Sequence, residues 1–191
     1  PTPQSSIPAS HYALDSHAVR KREEGRVHLD GFLSYPSAVY TVPYGVMVPK
    51  EVGNLLLPVP VSGSHIGFST LRMEPCWMAM GQAAGIASAL SIDGKVKVQN
   101  IDLSRLQDKL VDQKATLMYF KDVDYTSPHF RMVQYLGLRG YLPEWTARLQ
   151  EPVDMATLTA WKKLSGKDLP GIEAGKTTRL VALEMIYRKI K

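Results

Sequence analysis

Cysteine is almost missing from this chain: among 191 residues there is one, Cys76. A single cysteine excludes an internal disulfide and any cysteine-cluster metal site. It leaves the compartment unassigned, with a bacterial periplasm, the cell exterior and the cytoplasm all open. Uninterrupted apolar runs of spanning length are missing too. The most apolar long segment, Leu71 to Ile92, carries Arg72, Glu74 and Gln82, which a bilayer interior strongly disfavours, so no membrane span is expected. No basic run alternates with aromatic residues. The net charge of +5 is uneven, with five basic and five acidic side chains in residues 1–70 against eighteen and thirteen in residues 71–191. Because the two signs interleave, the surplus reads as solvated surface, and no nucleic-acid partner is expected. No signal peptide is visible, and the opening "PTPQSS" lacks a methionine, as expected of a processed product or a piece of a longer protein.

What is present is ordinary globular composition, 45% hydrophobic and 21% charged, in a chain long enough to bury a sizeable core. Residues 1–10 read as a linker or crossing segment, and the charged patch Arg20 to Arg26 as a turn. "AVYTVPYGVMVP" is rich in Val and Tyr and punctuated by Pro43 and Pro49, the pattern of two short strands broken by a bend. "NLLLPVPVS", residues 54–62, is an apolar run too short for a helix. Its Pro58 and Pro60 strip donors from one edge, so a strand here pairs on its other side or stops pairing near Leu57.

Pro75 is tolerated only in the first turn of a helix, which therefore starts between Thr70 and Glu74 and runs to a glycine stop at Gly94. Asp102 caps a further helix over 103–110. Helix signals recur at 128–138, 155–164 and 177–190, the last with Leu180, Leu183, Ile186 and Ile190 on one stripe.

The most unusual stretch is "SGSHIGFSTLRMEPCWMAMGQAAGIASAL", residues 62–90, where a loop of glycine, serine and histidine runs into a helix lined with alanine and glycine. Glycine inside a helix costs about 1 kcal/mol relative to alanine, so close approach of another backbone or a ligand is expected. A helix amino end presents unpaired amides that suit a phosphate, a carboxylate or an electron-rich carbonyl edge. Gly63 and Gly67 are equally explained by a tight connection.

Three segments, "DSHAVRK", "YTVPYGVMVPKEVGNLLLPVPVSGSHIGFSTLRMEPCWMAMGQAAGIASALSID" and "VKVQNIDLSRLQDKL", together resemble the C-terminal part of a family of bacterial FAD-dependent oxidoreductases, some of whose members carry the name xanthan lyase. The resemblance covers residues 10 to 112. It implies an α+β fold in which a short β-meander and a long flavin-proximal helix complete a dinucleotide-binding domain, residues 1–112, followed by a small helical module, residues 113–191. It also implies that Ser62, Gly63, Ser64, His65 and Thr70 pass beside FAD, and that amides at Leu71, Arg72 and Met73 face the pyrimidine edge of the isoalloxazine. No G-x-G-x-x-G occurs anywhere in the chain, so the grip on the ADP half of the cofactor is missing. The expected partner is therefore an N-terminal dinucleotide-binding part of the same protein, with tight FAD binding and activity absent from these residues alone. The segment from Met118 is faintly similar to S-layer homology modules, and helical packing is its favoured role.

His65 and His17 are the catalytic candidates by resemblance, His65 toward flavin or substrate and His17 toward a small-molecule, sugar-derived substrate; a purely structural role competes for each. Asp15, Ser16 and His17 do not make a hydrolytic triad, because neighbours in sequence cannot reach that geometry. Arg72 is read as an anchor for an anionic group or as one end of a surface ion pair. Cys76 is read as buried and inert. His11, His28 and His129 are too scattered for a metal, and no metal is expected. Two rivals stand beside the oxidoreductase: a non-catalytic carbohydrate or cell-envelope binding piece, and a polysaccharide lyase using Tyr40, Tyr44, His17 and Arg72.

Overall fold

Strand β1, Ser6–Ser10, is where the computed structural model first departs from the linker expected at residues 1–10. The structure describes residues 3–17, 24–25 and 32–191. Ser6 and Ile7 are buried, and Ser6 Oγ donates to the carbonyl of Leu117 at 2.8 Å. The amide of Gln107 donates to the carbonyls of Gln4 and Ser6 at 2.9 and 3.0 Å. A polar, proline-containing segment is thus held inside by partners a hundred residues away. Pro8 lacks an N–H, and the register of β1 shifts between Ser6 and Ala9, so the proline sits within the irregularity that its missing donor requires.

The expected β-meander is corrected to two separate two-stranded antiparallel sheets. β1 pairs with β4, Tyr40–Pro43, whereas β2, Leu14–His17, pairs with β3, Phe32–Tyr35. The second strand expected within residues 38–49 is a 3-10 turn, Tyr44–Met47. Residues 54–62 form no ladder: Leu57 N–H donates to Met47 O at 2.8 Å, after which Pro58 and Pro60 offer nothing to pair. The patch Arg20 to Arg26 lies outside the described residues except Glu24 and Gly25, which make a turn.

The glycine-serine loop is also shorter than expected. Ser64 caps helix α1, His65–Leu71, by accepting the Gly67 N–H on its Oγ at 3.0 Å. Helix α2, Glu74–Gly94, starts where Pro75 dictates. Its stop falls one residue late, since Gly94 stays helical and Lys95 takes the left-handed conformation at φ 50°. Asp102 caps α3, Leu103–Asp112, as expected. Helices α4, Phe130–Leu138, α5, Met155–Ser165, and α6, Arg179–Ile190, complete the chain, with Asp154 and Thr178 capping the last two.

Two apolar cores form. In the first, Met80, Ala83, Ala87 and Leu90 of α2 pack with Ile7, Val42, Met47, Leu106 and Leu110. The second surrounds Trp161, with Val133, Leu136, Leu142, Leu183 and Ile186. Helix α4 serves both, giving Phe130 and Leu138 to the first and Val133 and Leu136 to the second. Between them lies Gln134, fully buried, whose Oε1 accepts from the amides of Leu117 and Met118 at 2.9 and 2.8 Å while its Nε2 donates to Met118 O at 2.7 Å. No helix among the described residues is long and apolar enough to cross a membrane.

Candidate functional site

The corner where α1 hands over to α2 is two residues long, Arg72 and Met73, and it is held from several sides. Thr70 is buried at the end of α1, and its hydroxyl donates to Tyr12 O at 2.6 Å. The Tyr40 hydroxyl, reaching over from β4, lies 2.7 Å from Thr70 Oγ1 and 2.9 Å from Thr70 O. Since the Thr70 proton is committed to Tyr12, its oxygen is free to accept from Tyr40. Both hydroxyls are therefore engaged within the protein.

Arg72 makes the decisive contact of this corner. Its Nη2 donates to Asp15 Oδ2 at 2.6 Å, and its guanidinium lies 6.0 Å from the centre of the Tyr12 ring. Asp15 also accepts from His17 Nε2 at 3.2 Å and lies 3.4 Å from the Tyr12 hydroxyl. The His17 hydrogen bond, followed by the charges of His17 and Arg72, holds the Asp15 carboxyl below the usual carboxylate range, against the opposing effect of burial. Residues i and i+2 of a strand share a face, which is why Asp15 and His17 meet while Ser16, between them, projects from the other side. The triad is ruled out by this alternation.

The amino end of α2 is open. Met73 is its cap residue, with extended backbone and no side chain accepting from the first turn; Glu74 and Pro75 are exposed. Amides of this turn are therefore left for solvent or a ligand, beside the Arg72 guanidinium. Trp77, in the same turn, has its indole Nε1 buried without a partner, a donor that ordinarily finds one. Cys76 is buried, and burial pushes its thiol up, so it is an inert packing group rather than a thiolate.

The remaining candidates lie elsewhere on this unit. Ser62, Gly63, Ser64 and His65 are exposed at the other end of α1, about 10 Å from the corner at 1.5 Å per residue. Leu71 is buried in the first core. So β2 and α1 bring His17, Thr70, Arg72 and Met73 to one corner, while the glycine-serine segment with His65 forms a second edge. Tyr44 is buried with its hydroxyl donating to Val98 O at 2.9 Å, and burial pushes its pKa up to about 12, so it offers no base to a lyase cleft. Among the described residues, no three His, Cys, Asp or Glu side chains converge as a metal site.

Asp15 and Tyr12 were missed as site residues. The Asp15–His17 spacing was visible in the sequence, but the pairing of Asp15 with Arg72 spans 57 positions and has no local signal.

The uncapped start of α2, beside a guanidinium already paired with Asp15, suits an electron-rich carbonyl edge. A family model described as FAD dependent oxidoreductase matches residues 2–110, more than half of the chain. No curated protein matches, and no solved structure matches.

Proposed function

Because residues 2–110 make this chain a member of the FAD dependent oxidoreductase family, we propose that it contributes the flavin-facing corner of such an enzyme, and that the dinucleotide-binding remainder of the site is supplied by an N-terminal part of the same protein. The single observation that carries this reading is the uncapped start of α2 beside Arg72, in a family whose cofactor has a carbonyl edge to be held there. The bound flavin would supply hydride transfer to or from a substrate carbon.

In this reading the Met73 amide, the open first turn of α2 and the Arg72 guanidinium orient the pyrimidine edge and stabilise negative charge on it, whereas Leu71, whose amide was expected to face the flavin, spends its N–H on the last turn of α1. Asp15 fixes the guanidinium in place. His17, mostly exposed and hydrogen-bonded to Asp15, stands on the substrate side as the proton-handling residue. Ser62, Gly63, Ser64 and His65 line the edge along which the rest of the cofactor passes, and Thr70 acts through position alone. The substrate we favour is a sugar-derived alcohol. Residues 1–112 are the oxidoreductase portion, and residues 113–191 are a helical module.

What supports a missing partner is the outer face of α2. From Met78 through Ile92 there is no charged residue, and Met78 and Ile92 are 75% and 76% exposed. Gly81 and Gly85 have open space where a side chain would begin. A helix apolar nearly all round belongs inside a larger body. Together with the absent G-x-G-x-x-G, this face suits a dinucleotide-binding unit packed against α2.

The test uses the longer protein that carries this chain. Visible absorption bands of bound flavin are expected, and Arg72→Ala should weaken flavin binding at least about tenfold, the scale of one lost charge-assisted hydrogen bond. A colourless, folded longer protein that takes up no FAD would overturn the reading. For the 191 residues alone, titration with FAD should show little affinity; submicromolar binding would overturn the claim that half of the site lies elsewhere.

A further inference from the structure

Where the two cores meet on the surface there is a pocket of about 260 Å³ whose walls are Tyr40, Tyr119 and Trp145, with Ala9 and Met118 between them. Tyr119 and Trp145 are 39% and 43% exposed. Aromatic rings of this size normally bury themselves, and two of them kept open on one concavity mark a binding surface more than a packing defect. We propose that this pocket binds a single pyranose ring of a glycan, stacked on Trp145 and Tyr119.

The chemistry follows from the lining. One face of a pyranose presents axial C–H groups that pack on an aromatic ring, while its equatorial hydroxyls need hydrogen-bonding groups around the edge. Here the apolar bed is aromatic, and Thr41 lines the same pocket. Lys121 Nζ stands 6.0 Å from the centre of the Trp145 ring, and the backbone N–H of Lys121 donates to Trp145 O at 2.8 Å, which keeps the two residues side by side. That cation favours a sugar bearing a carboxylate over a neutral one. The volume is below that of pockets that enclose drug-sized ligands, which suits one ring of a longer chain lying across the surface. A proline-rich strand also stacks on Tyr and Trp, but it needs a row of grooves, and this pocket has room for about one ring.

The pocket exists only because the two cores are joined. Ala9, Tyr40 and Thr41 come from the family-matched residues and Met118, Tyr119 and Trp145 from beyond them. The site does not depend on bound flavin, so its failure and the failure of the oxidoreductase reading are separable.

The experiment titrates the chain with methyl β-D-glucopyranoside and methyl β-D-glucuronide, following backbone and indole NMR signals. Saturable shifts centred on Tyr119, Lys121 and Trp145 are expected, in the millimolar range usual for a single ring on an open surface, and tighter for the glucuronide. Trp145→Ala and Tyr119→Ala should each weaken binding about tenfold, Trp145→Phe should retain most of it, and Lys121→Ala should remove the preference for the glucuronide. Trp145→Phe and Tyr119→Ala keep the test decisive should Trp145→Ala disturb the fold. Absence of saturable shifts with both glycosides would overturn the proposal. So would shifts that persist in both alanine variants, or a proline-rich peptide moving these signals when neither glycoside does.

Discussion

The core around α2 and the core around Trp161 are finished to different degrees. On the second, the helices turn charge outward: Lys162 and Lys163 on α5, and Arg188 and Lys189 on α6, are exposed. Inside, its one buried cation is provided for, as Arg179 Nε donates to Ala147 O at 2.8 Å and the guanidinium lies 5.2 Å over the Trp161 ring. Burial pulls the Arg179 pKa down. On the first core, α2 turns Met78, Gly85, Ala89 and Ile92 outward instead. The second core leaves Met155, Leu164 and Val181 exposed singly among these charges, while the first buries one side of its central helix and presents the apolar rest. The difference teaches that a segment can fold around its own apolar residues and still leave an apolar helix face uncovered.

The comparison breaks most readily at Trp161. Replacing it with alanine removes a fully buried ring and the hydrogen bond from its Nε1 to Tyr141 O, a loss of about 3–5 kcal/mol. Urea denaturation followed by residue-resolved NMR should show α4–α6 melting first while α2 keeps its signals. A single shared transition would show that the second core does not stand apart.

Two changes probe the joint between the cores, each expected to cost about 1–3 kcal/mol in the same assay. Gln134→Ala strands the buried amides of Leu117 and Met118. Gly137→Ala places a methyl carbon 2.9 Å from the buried Phe120 ring, which has nowhere to retreat. The first should loosen the coupling between the two transitions; the second should lower the transition of the Trp161 core.

Smaller, and opposite in sign, is Gly85→Ala on the open face of α2. Nothing lies within 4 Å of the added carbon, so this chain should gain up to about 1 kcal/mol from helix propensity. In the longer protein the same methyl should weaken whatever packs there. Equal stabilisation in both would mean that the face is never covered.

The smallest effect is a pH dependence at the Arg72 corner. The folded-state pKa of Asp15 is depressed, so its contribution is present above the unfolded value near 3.8 and is lost as pH falls through the folded pKa. Hydrogen exchange at the end of α1 should quicken in that acid range, and Asp15→Asn should flatten the dependence.

How far such features can be read in advance depends on how local their causes are. Pro75, Asp102 and Ser64 act within one turn: the start of α3 was legible to the residue and that of α2 to within one turn, while α1 is hidden in a segment whose Gly63 and Gly67 read equally well as a tight connection. The strands were not legible. β1 owes its burial to Leu117 and Gln107, and its register to β4 some thirty residues on. The α+β class survived this, because helices alternating with short extended segments need no knowledge of pairing. At the corner, Arg72 stood out through its place at the helix start and Thr70 through the family resemblance alone, while Asp15 and Tyr12, which hold them, did not stand out as their partners. For Arg179 the sequence offers no sign of burial, since nothing nearby announces that Ala147 and Trp161 will close over it.

The short joint between α1 and α2 has one further consequence. Thr70 is tied to Tyr12 and Tyr40, and Arg72 to Asp15, so the backbone between them is immobilised when the chain folds. In the proposed flavin site, a cofactor arriving at that corner would meet a backbone already fixed, so that only its own tumbling has to be arrested. Loosening either tether should therefore shorten residence there before it alters the shape of what is bound.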